Sequence, residues 1–150
     1  MGMKNDFMTQ ALEDARAAAS RGEVPVGAII VGPDGKIIAR AGNQVMEQHD
    51  PTAHAELLAI RAAASALQNE RLTGCDLYVT LEPCPMCAQA ISFARIRRLY
   101  YGAPDPKGGG VDNGPAIYHQ PSCHHAPEVY GGIQESESAM LLKEFFESRR

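Results

Sequence analysis

The chain has 150 residues, 45% of them hydrophobic and 21% charged, a balance that fits one globular domain over 1–150 and excludes a disordered chain. Eighteen acidic residues against fourteen basic leave a formal charge of −4, which argues against a broad phosphate-binding face, because such a face needs clustered Lys and Arg. No run of about 18 apolar residues could cross a membrane, and the start, Met1-Gly2-Met3-Lys4-Asn5-Asp6, lacks the apolar core of a secretion signal, so a cytoplasmic location is expected.

Residues 6–21 predict a first helix. Phe7, Ala11, Leu12, Ala15 and Ala18 recur at helical spacing, Asn5 or Asp6 supplies a cap, and Gly22 ends the pattern. Val26-Gly27-Ala28-Ile29-Ile30-Val31 is an apolar, strand-sized run. Pro33-Asp34-Gly35 is a turn, and residues 36–41 return as the second arm of a hairpin. Asp50-Pro51-Thr52 signals a helix start, with Thr52 the expected cap of a helix over 53–67. Leu77-Tyr78-Val79-Thr80 is a strand, residues 84–94 are a helix with Pro85 in its first turn, and Leu99-Tyr100-Tyr101 is a further strand. The Gly- and Pro-rich stretch 104–127 is mostly loop, Val129-Tyr130 a short edge strand, and 136–150 an amphipathic helix with Met140, Leu141, Leu142 and Phe145 inward. Helices alternating with strands predict an α/β domain of three layers, with helices on both faces of a mixed sheet.

Two short motifs carry the chemistry. His54-Ala55-Glu56 offers an imidazole with a carboxylate beside it, and Pro83-Cys84-Pro85-Met86-Cys87 offers two thiols. Cys84 and Cys87 are three apart on a helix and share a face. They fall at a helix start, where unpaired N–H groups and the dipole stabilise thiolates. One imidazole and two thiolates make three ligands for Zn²⁺ and leave a tetrahedral corner open for water, unlike a closed structural site. Glu56 is placed to move that water's proton, provided the helix entrance lets side chains two apart reach one point.

Each motif alone has a plainer reading. A His-x-Glu occurs by chance, and a Cys-x-x-Cys can be a redox pair or half of a structural zinc site. A redox pair leaves His54 and Glu56 idle, and neither Cys75 nor Cys123 forms a second Cys-x-x-Cys.

The chain resembles the bacterial tRNA adenosine deaminases of the cytidine-deaminase-like superfamily along nearly its whole length. The resemblance lies in Glu23-Val24-Pro25-Val26-Gly27-Ala28, Asp50-Pro51-Thr52-Ala53-His54-Ala55-Glu56, Leu77 through Cys87, Arg95-Ile96, and the tail Phe145-Phe146 with Arg149-Arg150. It implies a five-stranded sheet between helices, a homodimer, and conversion of the wobble adenosine of a tRNA anticodon to inosine. It further implies zinc on His54, Cys84 and Cys87, and Glu56 as proton shuttle. Asn43 would contact the flipped nucleotide, Val26 and Ala55 would line the base pocket, and Asp105 and Lys107 would grip the RNA beside it. Lys107 and the terminal arginines would hold phosphates. Read without the resemblance, Asn43 and Asp105-Pro106 are turn residues. Cys123-His124-His125 departs from the family pattern, which has Asn before a single His. The trio reads as loop near the substrate lip. Two rival readings share these motifs: a deaminase of a free base or nucleoside such as guanine, cytosine or cytidine, and a zinc-stabilised binding module without activity.

Overall fold

The computed structural model describes residues 5–149; the Met1–Lys4 start and Arg150, one of the paired terminal arginines, lie outside the described residues, as do the side chains of Asn5 and Asp6, the expected first cap. Strands β1 (Gly27–Val31), β2 (Ile37–Gly42), β3 (Asp76–Leu81), β4 (Arg98–Ala103) and β5 (Glu128–Tyr130) form one sheet in the order β2-β1-β3-β4-β5. The β1–β2 and β1–β3 pairs are antiparallel, while β3–β4 and β4–β5 are parallel, so the sheet is mixed. Helices α1 (Asn5–Ser20) and α4 (Glu135–Glu147) cover one face, and α2 (Ala55–Leu67) and α3 (Pro85–Phe93) the other.

The packing follows from residue size. On the α2 and α3 face, Ala55, Ala59 and Ala63 recur every four residues and bring the helix close to Ala28, Ile30 and Val79 of the sheet. On the opposite face, Met8, Ala11 and Leu12 of α1 pack on Ile29 and Tyr78. Gly27 and Gly42 are cross-strand partners, and a Cβ on Gly27 would lie 2.0 Å from the carbonyl oxygen of Ala11. The contact is with helix backbone, which cannot turn aside as a side chain would. The parallel register also sets Tyr78, Tyr100 and Tyr130 side by side, with ring centroids 4.4 and 5.2 Å apart, which ties the short edge strand β5 to the sheet.

Two expectations need correction. Met140 does not face inward but is 56% exposed. The inward stripe of α4 runs through buried Ser138, half-buried Leu141 and Leu142, and buried Phe145, and Met140, two residues past Ser138, falls on the other side of the helix. Helix α2 starts at Ala55 rather than at 53, and Thr52 is not its cap. The backbone N–H and hydroxyl of Thr52 both donate to Asp50 Oδ1, at 2.8 and 2.7 Å, and this turn holds Thr52 outside the helix.

The strand directions place the site. Strands β2 and β3 are each antiparallel to β1, so they run the same way and end at one edge of the sheet, with β4 parallel to them. The residues after β2, β3 and β4, and those before β1, therefore gather at that edge, where α/β sheets bind ligands.

Replacing Gly27 by Ala is expected to destabilise the protein by about 1–3 kcal/mol, through overpacking against α1. Thermal unfolding should register this as a midpoint lowered by roughly 2–4 °C per kcal/mol. An unchanged midpoint would show that α1 does not bear on the strand so closely.

Candidate active site: a histidine and two cysteines at two helix starts

His54 and Cys84 are equivalent in the backbone. Each is the N-cap of its helix, in extended conformation, with φ/ψ of −75°/149° for His54 and −69°/171° for Cys84. Neither side chain is used to cap its own helix. The carbonyls of these residues already accept the first helical bonds, from Leu58 and Ala88. At the start of α2 the capping is done from outside: Asn43, just after β2, accepts the Ala55 N–H at 2.8 Å through its Oδ1. Pro85 occupies the first turn of α3, where its missing N–H costs nothing. Both caps thus keep their side chains free, and both point them at one spot.

His54 Nδ1 lies 3.6 Å from Cys84 Sγ and 3.5 Å from Cys87 Sγ. Bonds of about 2.3 Å to sulfur and about 2.0–2.1 Å to nitrogen, at a tetrahedral angle, would set S and N about 3.5–3.6 Å apart. All three donor atoms lie within 4.8 Å of one another, and this is the one such grouping among the described residues. The donor set therefore fits Zn²⁺ in kind and in spacing, with one tetrahedral corner left over.

The electrostatics agree. The Cys84 thiol is drawn down to about 4, first by the hydrogen bond from Cys87, with His54 assisting against burial. Cys87 is pushed up as donor in that bond, and its burial and the Glu56 charge add to the shift. Its hydrogen bond to Cys84 raises His54. Glu56, buried just inside α2, is pushed up to about 7, first by burial and then by the Cys84 charge, with its own backbone and His54 opposing. Buried thiols and a buried carboxylate beside an imidazole are groups that a bound cation would satisfy.

Beside the cluster opens a cavity of about 570 Å³ with His54, Glu56 and Cys84 in its wall. Its other walls are apolar Val24, Val26, Val45 and Leu81, polar Asn43, Glu82 and Asp105, and Phe145 of α4 with Arg149 just beyond that helix. A cavity of this size, mostly apolar with a few converging polar groups, suits a nucleobase and its sugar. Asn43 meets the cavity while its Oδ1 holds Ala55. Ala55 itself is fully buried behind the wall. Asp105 is both wall and turn: its Oδ1 accepts the Lys107 and Gly108 N–H groups at 3.2 and 2.9 Å. Lys107 is exposed beside Gly108, which reaches the wall. The Arg149 guanidinium lies 3.9 Å over the Phe145 ring, a cation–π stack at the cavity.

Cys123-His124-His125 is a loop but does not lie at the lip. His125 Nε2 sits 2.7 Å from the Ile96 carbonyl, and the His125 carbonyl accepts the Ser92 hydroxyl at 2.6 Å. These contacts fasten the trio near the C-terminal end of α3, while the cluster lies at its N-terminal end. Two wall-forming groups escape sequence reasoning. Glu23 is buried and accepts the N–H groups of Met46 and Glu47, and Glu82 is buried and takes the N–H groups of the loop after β4. Both lie inside motifs quoted above. Their signal was a carboxylate with no assigned partner beside the apolar residues that flank a strand, before β1 for Glu23 and after β3 for Glu82.

Fold and site together define a zinc-dependent deaminase centre. The cytidine and deoxycytidylate deaminase zinc-binding region matches residues 1–103, and the chain belongs to that family. It is 60% identical over 150 residues to the tRNA-specific adenosine deaminase of Agrobacterium fabrum, covering 100% of this chain and 98% of that protein. The tRNA-specific adenosine deaminase of Aquifex aeolicus is 46% identical over 148 residues, covering 98% and 96%. A solved structure from a study of A-to-I editing by tRNA:A34 deaminases at the wobble position superposes with a TM-score of 0.90 at 63% identity, over 91% of this chain and 99% of that one.

Elemental analysis of purified protein is expected to give about one zinc per chain, and Cys84→Ala is expected to lose most of it. Full zinc content in Cys84→Ala would remove that sulfur from the ligand set.

Proposed function

We propose that the protein deaminates adenosine to inosine at the wobble position of a tRNA anticodon, with zinc on His54, Cys84 and Cys87. The observation that carries this reading is a three-donor site with an open corner on the wall of a nucleoside-sized cavity. The chain around that site is 60% identical, end to end, to a tRNA-specific adenosine deaminase.

Zinc held by His54, Cys84 and Cys87 would supply an acidified water as nucleophile. Glu56 is the proton carrier. It is buried, it meets the cavity, and it stands outside the donor set, as a group that moves a proton rather than binds the ion must. As water adds at C6 of adenine, Glu56 takes a proton from it and delivers that proton to N1. It then carries the remaining hydroxyl proton to the departing amine, and ammonia leaves hypoxanthine. Val26 packs on the base, and Asn43, its Oδ1 committed to Ala55, offers its amide NH₂ to the nucleotide. Ala55 serves the pocket from behind, by holding Asn43 in place. Asp105 flanks the cavity, and Lys107 and Arg149 reach phosphates at its mouth. The base must leave its stack to enter, which costs little in an anticodon loop where it is already unpaired.

The protein acts as a homodimer in the cytoplasm, where the tRNA pool lies. Support for the dimer comes from the surface between α2 and α3, where Leu57, Ile60 and Ala64 line a groove beside Phe93, which is 69% exposed. Among the described residues no helix is long and apolar enough to cross a membrane.

An anticodon stem-loop carrying the wobble adenosine is expected to release ammonia with this protein, and free guanine, cytosine and adenosine are not. Turnover of a free base alone would overturn the tRNA reading. Glu56→Ala should lower kcat by at least about 10²–10⁴-fold with zinc and fold retained; an active Glu56→Ala would remove the shuttle role. Size-exclusion chromatography with light scattering should give twice the chain mass of 16.2 kDa, and a monomer at working concentration would refute the dimer.

A further inference from the structure

We propose that Glu82 is a positioning residue for substrate binding: a buried carboxylate that gathers the loop 105–113 and holds it as one wall of the cavity. The role of the cavity in this sentence rests on the function proposed above; the fastening of the loop does not.

Glu82 follows β3 and is 2% exposed. Its Oε2 accepts the backbone N–H groups of Val111, Asp112 and Asn113 at 3.1, 2.9 and 3.0 Å. Its Oε1 accepts the Asp105 N–H at 2.9 Å and the Asn113 side-chain amide at 2.6 Å. Among the described residues no Lys, Arg or His pairs with it. The charge is balanced by loop dipoles alone, so the loop loses its anchor if the charge goes.

A second observation points the same way. A Cβ on Gly109 would fall 2.5 Å from the Glu82 carboxylate, and one on Gly110 would fall 2.5 Å from the nitrogen of Pro85 and 2.8 Å from the carbonyl carbon of Cys84. The loop is pressed, without side chains between, onto the carboxylate on one side and the start of α3 on the other. The Gly110 N–H donates to the Pro83 carbonyl at 2.8 Å, completing the seam. Asp105 and Gly108, at the near end of this loop, are wall residues of the cavity. Glu82 also meets the cavity, yet both its oxygens are spent on the loop, so it acts on substrate through Asp105 and its neighbours and not by direct contact.

The decisive variant is Glu82→Gln, which keeps the volume but turns an NH₂ toward N–H donors. Amide hydrogen exchange is expected to rise at least tenfold at Val111, Asp112 and Asn113, with β3 and α3 amides and zinc content unchanged. On the anticodon stem-loop, KM is expected to rise at least tenfold while kcat stays within threefold. Exchange rising equally in β3 and α3, or zinc lost in step with kcat, would show a role in the whole fold and overturn the proposal. So would a loosened loop with an unaltered KM. Should Glu82→Gln fail to fold, Asn113→Ala removes one donor only. It should quicken exchange over 111–113 and raise KM by a few fold, and no change in either would equally overturn the proposal. If wild-type protein turns over no stem-loop, the proposed function has failed, and the exchange measurement still decides whether Glu82 holds the loop.

Discussion

Two helix starts facing each other at one edge of a sheet are the constraint on which this protein rests. His54 and Cys84 are both N-caps, both extended, and both excused from capping their own helices. A cap residue ordinarily spends its side chain on the first free N–H groups of the helix. Here Asn43 relieves α2 of that need, and the imidazole is released toward the sulfurs. The two helix dipoles then bring their positive ends to the same point as the thiolates, which favours the ionised sulfurs a metal requires.

The rest of the site is arranged around that point in two ways. Apolar residues at the sheet edge, Val26 just before β1 and Leu81 at the end of β3, line the cavity and are placed by the sheet. The other walls are loops, and loops need fastening. Glu23 does this for the segment at Met46 and Glu47, and Glu82 for the segment after β4. Each is a buried carboxylate satisfied by backbone N–H groups, so the same charge that would be costly alone becomes the anchor of a chain segment. The helix α4 closes the ring with Phe145 and the Arg149 guanidinium stacked on it.

The chemistry was the part most open to reading along the chain. Cys84, the N-cap of α3, and Cys87, in its first turn, are near neighbours because they are only three residues apart at a helix start. Strands and helices were likewise legible in order and kind, since β1 is apolar throughout and α1 carries a clean stripe. The errors share a cause. Thr52 looks like a cap until the competing acceptor, Asp50, is seen two residues away, and Met140 looks inward until the face of α4 is fixed by Ser138 and Phe145. Cys123-His124-His125, which departs from the family pattern, reads as loop near the substrate lip, but Ser92 and Ile96 hold it near the other end of α3.

What the sequence determined by itself is therefore the ligand types, the spacing of the two sulfurs and the presence of a carboxylate beside the imidazole. These are local facts, settled by residues within one helical turn. Only the tertiary structure decided that the imidazole, thirty residues from Cys84 in the chain, stands 3.6 Å from its sulfur. The strand order β2-β1-β3 did that, by running β2 and β3 in one direction and ending both at the same edge. The same holds for Glu82, whose five donors come from residues 105–113. A carboxylate in a strand motif does not announce its partners, because backbone N–H groups are identical in every residue and only folding selects which of them it meets.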